Sequence, residues 1–219
     1  TGYLNTEPSA YENNKKAALA VLDKYYKKDS SGKYTDFPII EYVTNGVQTH
    51  VDIATYIADV LYNYGITMTT YVLDWGTFQS FRDAGDFTIA RNGWIADYND
   101  ALNFLDMWTS DSGNNSSFLG QNGHSSKAVY EIDLAAAGYP VLGGTWADTY
   151  DRIINIIRHE NDPEKRNILL HKAEDLLMET GCICPLYYYT DIYMLSDKVS
   201  GFYSSPYGNK YFMYTNLTE

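Results

Sequence analysis

The sequence predicts an α/β protein with a mixed, mainly parallel sheet that is flanked by helices. Residues 37–43 are apolar and β-branched, residues 51–61 repeat apolar side chains at helical spacing, and residues 66–73 alternate as in a strand. A strand, a helix and a second strand within about 35 residues are typical of a βαβ unit. The two strands are therefore predicted to be parallel and joined by a right-handed crossover.

Most of the other helices have clear sequence signals. Residues 8–28 mix apolar and charged side chains as an amphipathic helix does, and Gly65 is well placed to end the helix of the βαβ unit. We predict a short helix over residues 77–84 that Gly85 closes, and a longer one over residues 146–160 with a stripe of isoleucines.

The last long helix is predicted to begin at Asp162, which suits the N-cap, with Pro163 in the first helical position. It should end where Gly181 follows Thr180. Residues 183–189 are expected to form the final clear strand, and residues 199–214 are rich in turns and aromatic side chains.

Residues 110–146 are the least regular part of the chain. Turn-forming residues fill positions 110–127, and glycines and a proline interrupt positions 135–144. We expect an irregular surface excursion here and assign it no role.

The stretch 86–108 carries the chemistry. A short strand around Phe87 and Ile89 stops at Asn92 and Gly93, and a polar turn then leads into Leu102, Leu105 and Trp108 at helical spacing. Such a strand would place its last residues at the carboxyl edge of a sheet, where α/β proteins commonly bind ligands.

Three side chains are predicted to meet at that edge. They are a cation, Arg91, an aromatic ring, Trp94, and an anion, Asp97. A ligand that is extended and carries both charges would suit them.

Composition excludes several classes of function. A formal net charge of −12 and a pI near 4.6 disfavour nucleic acid and anionic membrane surfaces, because both require clustered cations. No apolar run approaches the roughly 20 residues that cross a bilayer, and the polar first residues lead us to expect no signal peptide in this sequence. The 22 tyrosines are common on binding surfaces, although ordinary packing explains most of them.

The sequence predicts no catalytic residue, cofactor or metal site. Cys182 and Cys184 would share one face of a strand, and we expect both to be small buried apolar groups; a regulatory thiol pair is the alternative. An enzyme would have to use carboxylates such as Asp97, Asp100 and Asp106 or one of the four histidines. The motifs of hydrolases, metalloproteases, nucleotide-binding loops and dinucleotide sites are missing from the sequence.

Residues 91–100, Arg-Asn-Gly-Trp-Ile-Ala-Asp-Tyr-Asn-Asp, resemble the signature of the oligopeptide-binding proteins, which are the extracytoplasmic receptors of peptide-importing ABC transporters. The resemblance extends to residues 74–78 and 185–189, and it departs from the usual pattern at Ala101, where the family has proline. It implies that residues 1–219 are the carboxyl-terminal large lobe of a longer two-lobed receptor with a type II periplasmic-binding-protein-like fold, and that the amino-terminal lobe is missing. In the family the tail returns towards the other lobe, so part of residues 199–214 is expected to be exposed in this lobe alone.

The resemblance also implies roles for individual residues. Asp97 would bind the α-ammonium group of a peptide, and Arg91 and His50 would bind its carboxylate end or its backbone. The spacing alone also allows Asp97 to be a helix N-cap, Trp94 to be a core residue and His50 to be an ordinary surface residue. The remaining implied ligand-binding residues are Asn92, Gly93 and the pocket-lining Trp75, Arg82, Trp94 and Tyr189.

The implied partners are an oligopeptide and the membrane permease of the transporter. The implied location is a lipid-anchored position on a Gram-positive surface or the periplasm. The main rival is a receptor of the same superfamily for a nickel chelate, an oligosaccharide or a signalling peptide.

Overall fold

The computed structural model describes residues 7–121, 129–205 and 207–218, and the chain divides into two compact units, Thr1–Gly93 and Trp94–Glu219. In the described residues no helix is both long and apolar enough to cross a membrane.

The first unit is built on a parallel sheet of three strands in the order β2-β1-β3. Tyr42 of the central strand lies opposite Thr70 on one side and Ile89 on the other, so both neighbours run parallel to it. The predicted βαβ unit is therefore confirmed. The elements are α1 (Pro8–Leu22), β1 (Ile40–Asn45), α2 (Gln48–Tyr62), β2 (Met68–Leu73), α3 (Trp75–Ala84) and β3 (Ile89–Ala90).

The ends of α3 follow from the sequence. Asp74 accepts a hydrogen bond from the backbone N–H of Thr77 at 3.1 Å, and Gly85 closes the helix in the left-handed region at φ 75°. The prediction for α1 was too long, because the helix ends at Leu22. Residues 23–28 turn instead, and Lys28 forms a β-bridge with Tyr34, a core residue with 3% exposure.

The second unit is organised around two helices, α4 (Trp146–His159) and α5 (Pro163–Glu179). The predicted N-cap of α5 is confirmed, since the Asp162 carboxylate accepts from the N–H groups of Glu164 and Lys165. Trp146 and Tyr150 are fully buried and stacked with ring centroids 4.6 Å apart. Other elements are 3-10 turns at Ala101–Phe104, Asp106–Trp108 and Ala135–Ala137, strands β4 (Val129–Ile132) and β5 (Leu142–Thr145), and the short strands β6 (Val199–Ser200), β7 (Tyr203–Ser204), β8 (Lys210–Tyr211) and β9 (Asn216–Leu217).

The prediction of an irregular excursion over residues 110–146 was wrong in its second half. Strands β4 and β5 pair antiparallel there, and Leu134 and Leu142 are buried in the same core as α4 and α5. The glycines at 143 and 144 had hidden the strand, because glycine weakens strand patterns. Residues 122–128 of the predicted loop lie outside the described residues.

Two further predictions need correction. The segment 102–108 forms 3-10 turns rather than an α-helix, which fits its apolar spacing of three residues. Residues 183–189 form no strand, because no neighbouring strand pairs with them among the described residues. Cys182 is consequently only partly buried and Cys184 is exposed. The expected exposure of the tail is confirmed, since Met213 is 79% exposed.

Candidate functional site

The second unit contains a cavity of about 340 Å³ on the side of the 3-10 turns. Both Trp94 and Asp97 of the signature face it. The full lining is Trp94, Asp97, Asn103, Asp106, Met107, Thr109, Asp111, Ser112, Asn114 and Arg158.

Asn103 joins the two signature residues in this cavity. Its side-chain oxygen accepts hydrogen bonds from the indole Nε1 of Trp94 and from the backbone N–H of Asp97, each at 2.9 Å. Its Nδ2 donates to Oδ2 of Asp97 at 3.4 Å. Asn103 is only 4% exposed, whereas the side chain of Asp97 is open to solvent.

The charge of the cavity is negative. Asp97, Asp106 and Asp111 contribute three carboxylates, and Arg158 contributes one guanidinium, whose Nη2 lies 3.9 Å from Oδ2 of Asp106. Asp106 Oδ2 also accepts a hydrogen bond from the hydroxyl of Tyr98 at 3.2 Å. Burial raises the pKa of Tyr98, and the nearby charge of Asp106 raises that pKa further. The cavity therefore favours a ligand group that carries positive charge.

The turn that carries Asn103 is held from two sides. Asp100 caps it by accepting a hydrogen bond from the N–H of Leu102 at 2.8 Å, and the same carboxylate binds Nη2 of Arg166 on α5 at 2.9 Å. Tyr150 of α4 donates its hydroxyl to the backbone oxygen of Leu105 at 2.8 Å. The helical core thus fixes the turns that form the cavity wall.

The first unit places other predicted residues at the carboxyl edge of its sheet. Asn45 ends the central strand, Trp75 follows β2 and is 52% exposed, and Arg91 follows β3. The side-chain oxygen of Asn45 lies 2.8 Å from Nδ1 of His50 in a hydrogen bond. Burial lowers the pKa of His50, and the positive charge of Arg91 lowers that pKa further.

Arg82, Asn92 and Gly93 form a second group in that unit. Arg82 donates a hydrogen bond from Nη1 to the side-chain oxygen of Asn92 at 3.4 Å, and this oxygen also accepts one from the N–H of Gly93 at 2.8 Å. The guanidinium of Arg82 stands over the buried ring of Phe78 at 5.7 Å, while its Nε is buried and has no hydrogen-bond partner among the described residues.

The structure thus brings the predicted residues together in groups. Trp94 and Asp97 share the cavity of the second unit, Arg91 lies near His50, and Arg82 contacts Asn92. Tyr189 stands outside the cavity lining, half-exposed, with its ring 5.3 Å from that of Tyr187.

Sequence reasoning missed Asn103, Arg158 and Arg166, and it named Asp106 only as a carboxylate that an enzyme could use. A polar residue among apolar neighbours, as in Leu102-Asn103-Phe104, was the available signal for Asn103. Within the described residues no group of three or more His, Cys, Asp or Glu side chains is arranged to hold a metal ion.

Comparison with known proteins gives a consistent set of similarities. The sequence profile of the family described as bacterial extracellular solute-binding proteins, family 5 Middle, matches residues 1–116. The oligopeptide-binding protein OppA of Bacillus subtilis is 25% identical over 209 residues, which cover 95% of this chain. A probable deoxycholate-binding periplasmic protein, YgiS of Escherichia coli, is 31% identical over 139 residues, or 63% of this chain.

Among solved structures, Haemophilus influenzae OppA in complex with the peptide RPPGFSPFR matches 98% of this chain with a TM-score of 0.69 and 22% identity. At that identity the match shows the fold. This chain spans 34% of the Bacillus protein, 21% of the Escherichia protein and 36% of the Haemophilus chain.

Proposed function

Because the chain belongs to the bacterial extracellular solute-binding proteins of family 5, we propose that it binds oligopeptides for an ABC importer. Residues 1–219 would form the carboxyl-terminal lobe of a two-lobed receptor. The receptor delivers its ligand to a membrane permease and carries out no chemical reaction on it.

The observation that carries the proposal is the position of Asp97. Its carboxylate faces a cavity with three carboxylates and one guanidinium, and the described residues provide it with one long hydrogen bond and no ion pair. An ammonium group that enters the cavity would form a charge-assisted hydrogen bond with this carboxylate. The α-ammonium group of a peptide is such a ligand.

The rest of the peptide would lie in extended form. Asn92 and Gly93 are exposed and offer backbone groups to it, as in strand addition. Arg91 and His50 are proposed to bind its carboxylate end or its backbone. Their position in the first unit is the geometry that supports this role. Trp75, Arg82, Trp94 and Tyr189 are proposed to contact its side chains.

The proposed partners are the peptide, the permease and an amino-terminal lobe of the same receptor. The receptor would act outside the cytoplasm, either lipid-anchored on a Gram-positive surface or in the periplasm. Closure of the two lobes around the peptide would report its presence to the permease.

A receptor for another solute is the second candidate. The similarity to a probable deoxycholate-binding protein favours it, because family membership leaves the ligand open. Deoxycholate carries a carboxylate, however, and the net charge of the cavity opposes an anion. A nickel chelate, an oligosaccharide or a signalling peptide are the other candidates, and identification of the natural ligand distinguishes them.

The test uses the full-length receptor that contains this chain. The protein is purified without denaturation and its bound ligand is identified by mass spectrometry. Peptides are expected, and a bile acid, sugar or metal chelate would replace the main proposal by its rival.

The role of Asp97 is tested with Asp97→Asn in the same receptor. We expect peptide affinity to fall about tenfold or more, because the charge that pairs with the ammonium group is lost. Asp175→Asn is the matched control, since it removes the same charge from an exposed position of α5 outside the cavity. Equal affinities of the two variants would exclude Asp97 as the ammonium site.

The isolated chain 1–219 provides a further test. It lacks the opposing lobe of the proposed receptor, so we expect weak or undetectable peptide binding by calorimetry. Sub-micromolar binding would contradict the two-lobed proposal.

A further inference from the structure

We infer that Asn103 is the positioning residue that lets this cavity distinguish a free amino terminus from a blocked one. The inference rests on the proposed function and adds a residue to it. Asn103 lines the cavity beside Asp97. It would act through Asp97, whose carboxylate it orients.

The hydrogen bonds of Asn103 fix which way its amide points. Its oxygen receives two N–H groups, from the indole of Trp94 and from the backbone of Asp97. The reverse orientation would set an NH2 group against two other donors, which no hydrogen bond could satisfy. The NH2 group must therefore face the other way, where it meets Oδ2 of Asp97.

This arrangement holds Asp97 at two points. The backbone N–H of residue 97 is tied to the oxygen of Asn103, and the carboxylate of the same residue is tied to its nitrogen. One buried amide thereby sets both the position of the main chain and the rotation of the side chain. The same amide fixes the Trp94 indole, so the charged group and the aromatic wall of the cavity keep a constant separation.

Asn103 is itself held in place. It is 4% exposed and lies in the 3-10 turn Ala101–Phe104, and its N–H donates to the backbone oxygen of Asp100 at 3.1 Å. Asp100 is bound in turn by Arg166 of the long helix α5. A residue fixed in this way restricts the motion of an exposed carboxylate better than solvent would.

The type of residue at 103 follows from the chemistry. Asn offers an acceptor and a donor on opposite corners of a planar group. Alanine would leave the indole N–H and the N–H of Asp97 without this acceptor. Aspartate would keep the acceptor but replace the donor by a second negative charge beside Asp97.

The experiment compares two peptides that differ only in acetylation of the α-amino group, bound to the full-length receptor. The measured quantity is the dissociation constant of the acetylated peptide divided by that of the free peptide. A high ratio reports recognition of the free ammonium group. In Asn103→Ala we expect this ratio to fall about tenfold, whereas any loss from releasing the Trp94 indole is shared by both peptides and leaves the ratio unchanged. A loss of stability alone would weaken both peptides alike.

Asn115→Ala is the matched control. Asn115 is also 4% exposed in the second unit, but its Nδ2 donates only to backbone oxygens, those of Trp108, Thr109 and Leu119. We expect this variant to lose stability and to keep the native ratio.

Asn103→Asp covers the case in which Asn103→Ala does not fold. This variant keeps the acceptor for the two N–H groups but replaces the donor to Asp97 by a carboxylate that repels it, so the ratio should fall as in Asn103→Ala. An unchanged ratio in either variant would overturn the inference. A native receptor that binds both peptides equally would overturn the proposed role of Asp97 as well.

Discussion

Arg91 and Asp97 are six residues apart, yet they are positioned in different ways. Arg91 follows a strand of the parallel sheet, and its backbone N–H donates to the oxygen of Val43 on the central strand. Asp97 lies in irregular chain that a buried asparagine and two helices hold in place. Position by strand order can be deduced from local sequence, whereas position by distant side chains cannot.

The two units also differ in how deeply they bury apolar side chains. The second unit has a continuous core of fully buried residues from α4 and α5. In the first unit, α1 buries no residue and β2 exposes Tyr71 and Val72 by 44% and 49%. We therefore expect core substitutions to lower the free energy of unfolding more in the second unit than in the first. They should also disturb the cavity, because the same core holds its wall.

The largest effect is expected from Trp146→Ala in the second unit. The substitution removes a fully buried indole that stacks on Tyr150 and donates to the oxygen of Leu176 at 3.1 Å. We expect a loss of about 4–5 kcal/mol in the free energy of unfolding, measured by urea denaturation followed by circular dichroism.

Phe78→Ala is the corresponding change in the first unit. Phe78 is fully buried, but exposed Trp75 lies 5.7 Å away and can settle into the vacated space. We expect a smaller loss of about 3 kcal/mol. Equal losses in the two variants would show that the units do not differ in packing.

Gly65→Ala sharpens the comparison within the first unit. Gly65 has φ 81°, and an added Cβ would overlap the backbone oxygen of Tyr34 and lie 2.8 Å from its nitrogen. We expect a loss of about 2–5 kcal/mol from backbone strain and overlap together, measured by thermal and urea unfolding.

Gly32→Ala serves as its control. Gly32 has φ 83°, but nothing lies within 4 Å of the position of an added Cβ. Only the backbone strain of about 1–2 kcal/mol should remain. If Gly32→Ala costs as much as Gly65→Ala, the close approach of Tyr34 has no energetic weight.

Arg166→Met tests whether the helical core fixes the cavity. Its side chain is 24% exposed, and its guanidinium binds Asp100 at 2.9 Å. We expect a loss of about 1–2 kcal/mol, reduced from the value for a buried pair because solvent reaches both groups. Peptide affinity of the full receptor should also fall, as measured by calorimetry. Lys165→Met, one residue earlier on the same helix, should change neither quantity appreciably.

The smallest effect concerns His50 in the first unit. Burial and Arg91 lower its pKa in the folded chain, so the folded state favours the neutral ring. The stability that His50 contributes is present above its ordinary pKa of about 6.5 and is lost as the pH falls below that value. His50→Gln should flatten this part of the curve of unfolding free energy against pH, and an unchanged curve would show that His50 does not contribute to it.

The fold class and the family resemblance were predicted correctly from the sequence. Periodicity and capping residues are local, which is why Asp74, Gly85 and Asp162 identified the helix ends. The antiparallel pair β4 and β5 was missed because an apolar turn separates the two strands and because β5 contains two glycines. The strand predicted at 183–189 failed for the opposite reason, since the pattern was present and a pairing partner was not found among the described residues.

The candidate site was only partly predictable. Residue types and the resemblance selected Asp97 and Trp94, and these two do share a cavity. Arg158 and Arg166 were not predicted, because they contact Asp106 and Asp100, which are distant in sequence. Asn103 contacts residues only six and nine positions away, but its role depends on the folded turn that brings them together. The ligand-binding role of each residue remains a prediction until the variants are measured.

The exposed segment that follows α5 has a practical consequence for anyone who prepares this chain. Tyr188, Ile192 and Met194 are 86%, 85% and 95% exposed, so the segment presents large apolar side chains to solvent. Electrostatic repulsion between chains of net charge −12 opposes aggregation in dilute buffer, and added salt screens that repulsion over distances beyond about 8–10 Å. The protein should therefore stay soluble at low ionic strength and aggregate as the salt concentration rises.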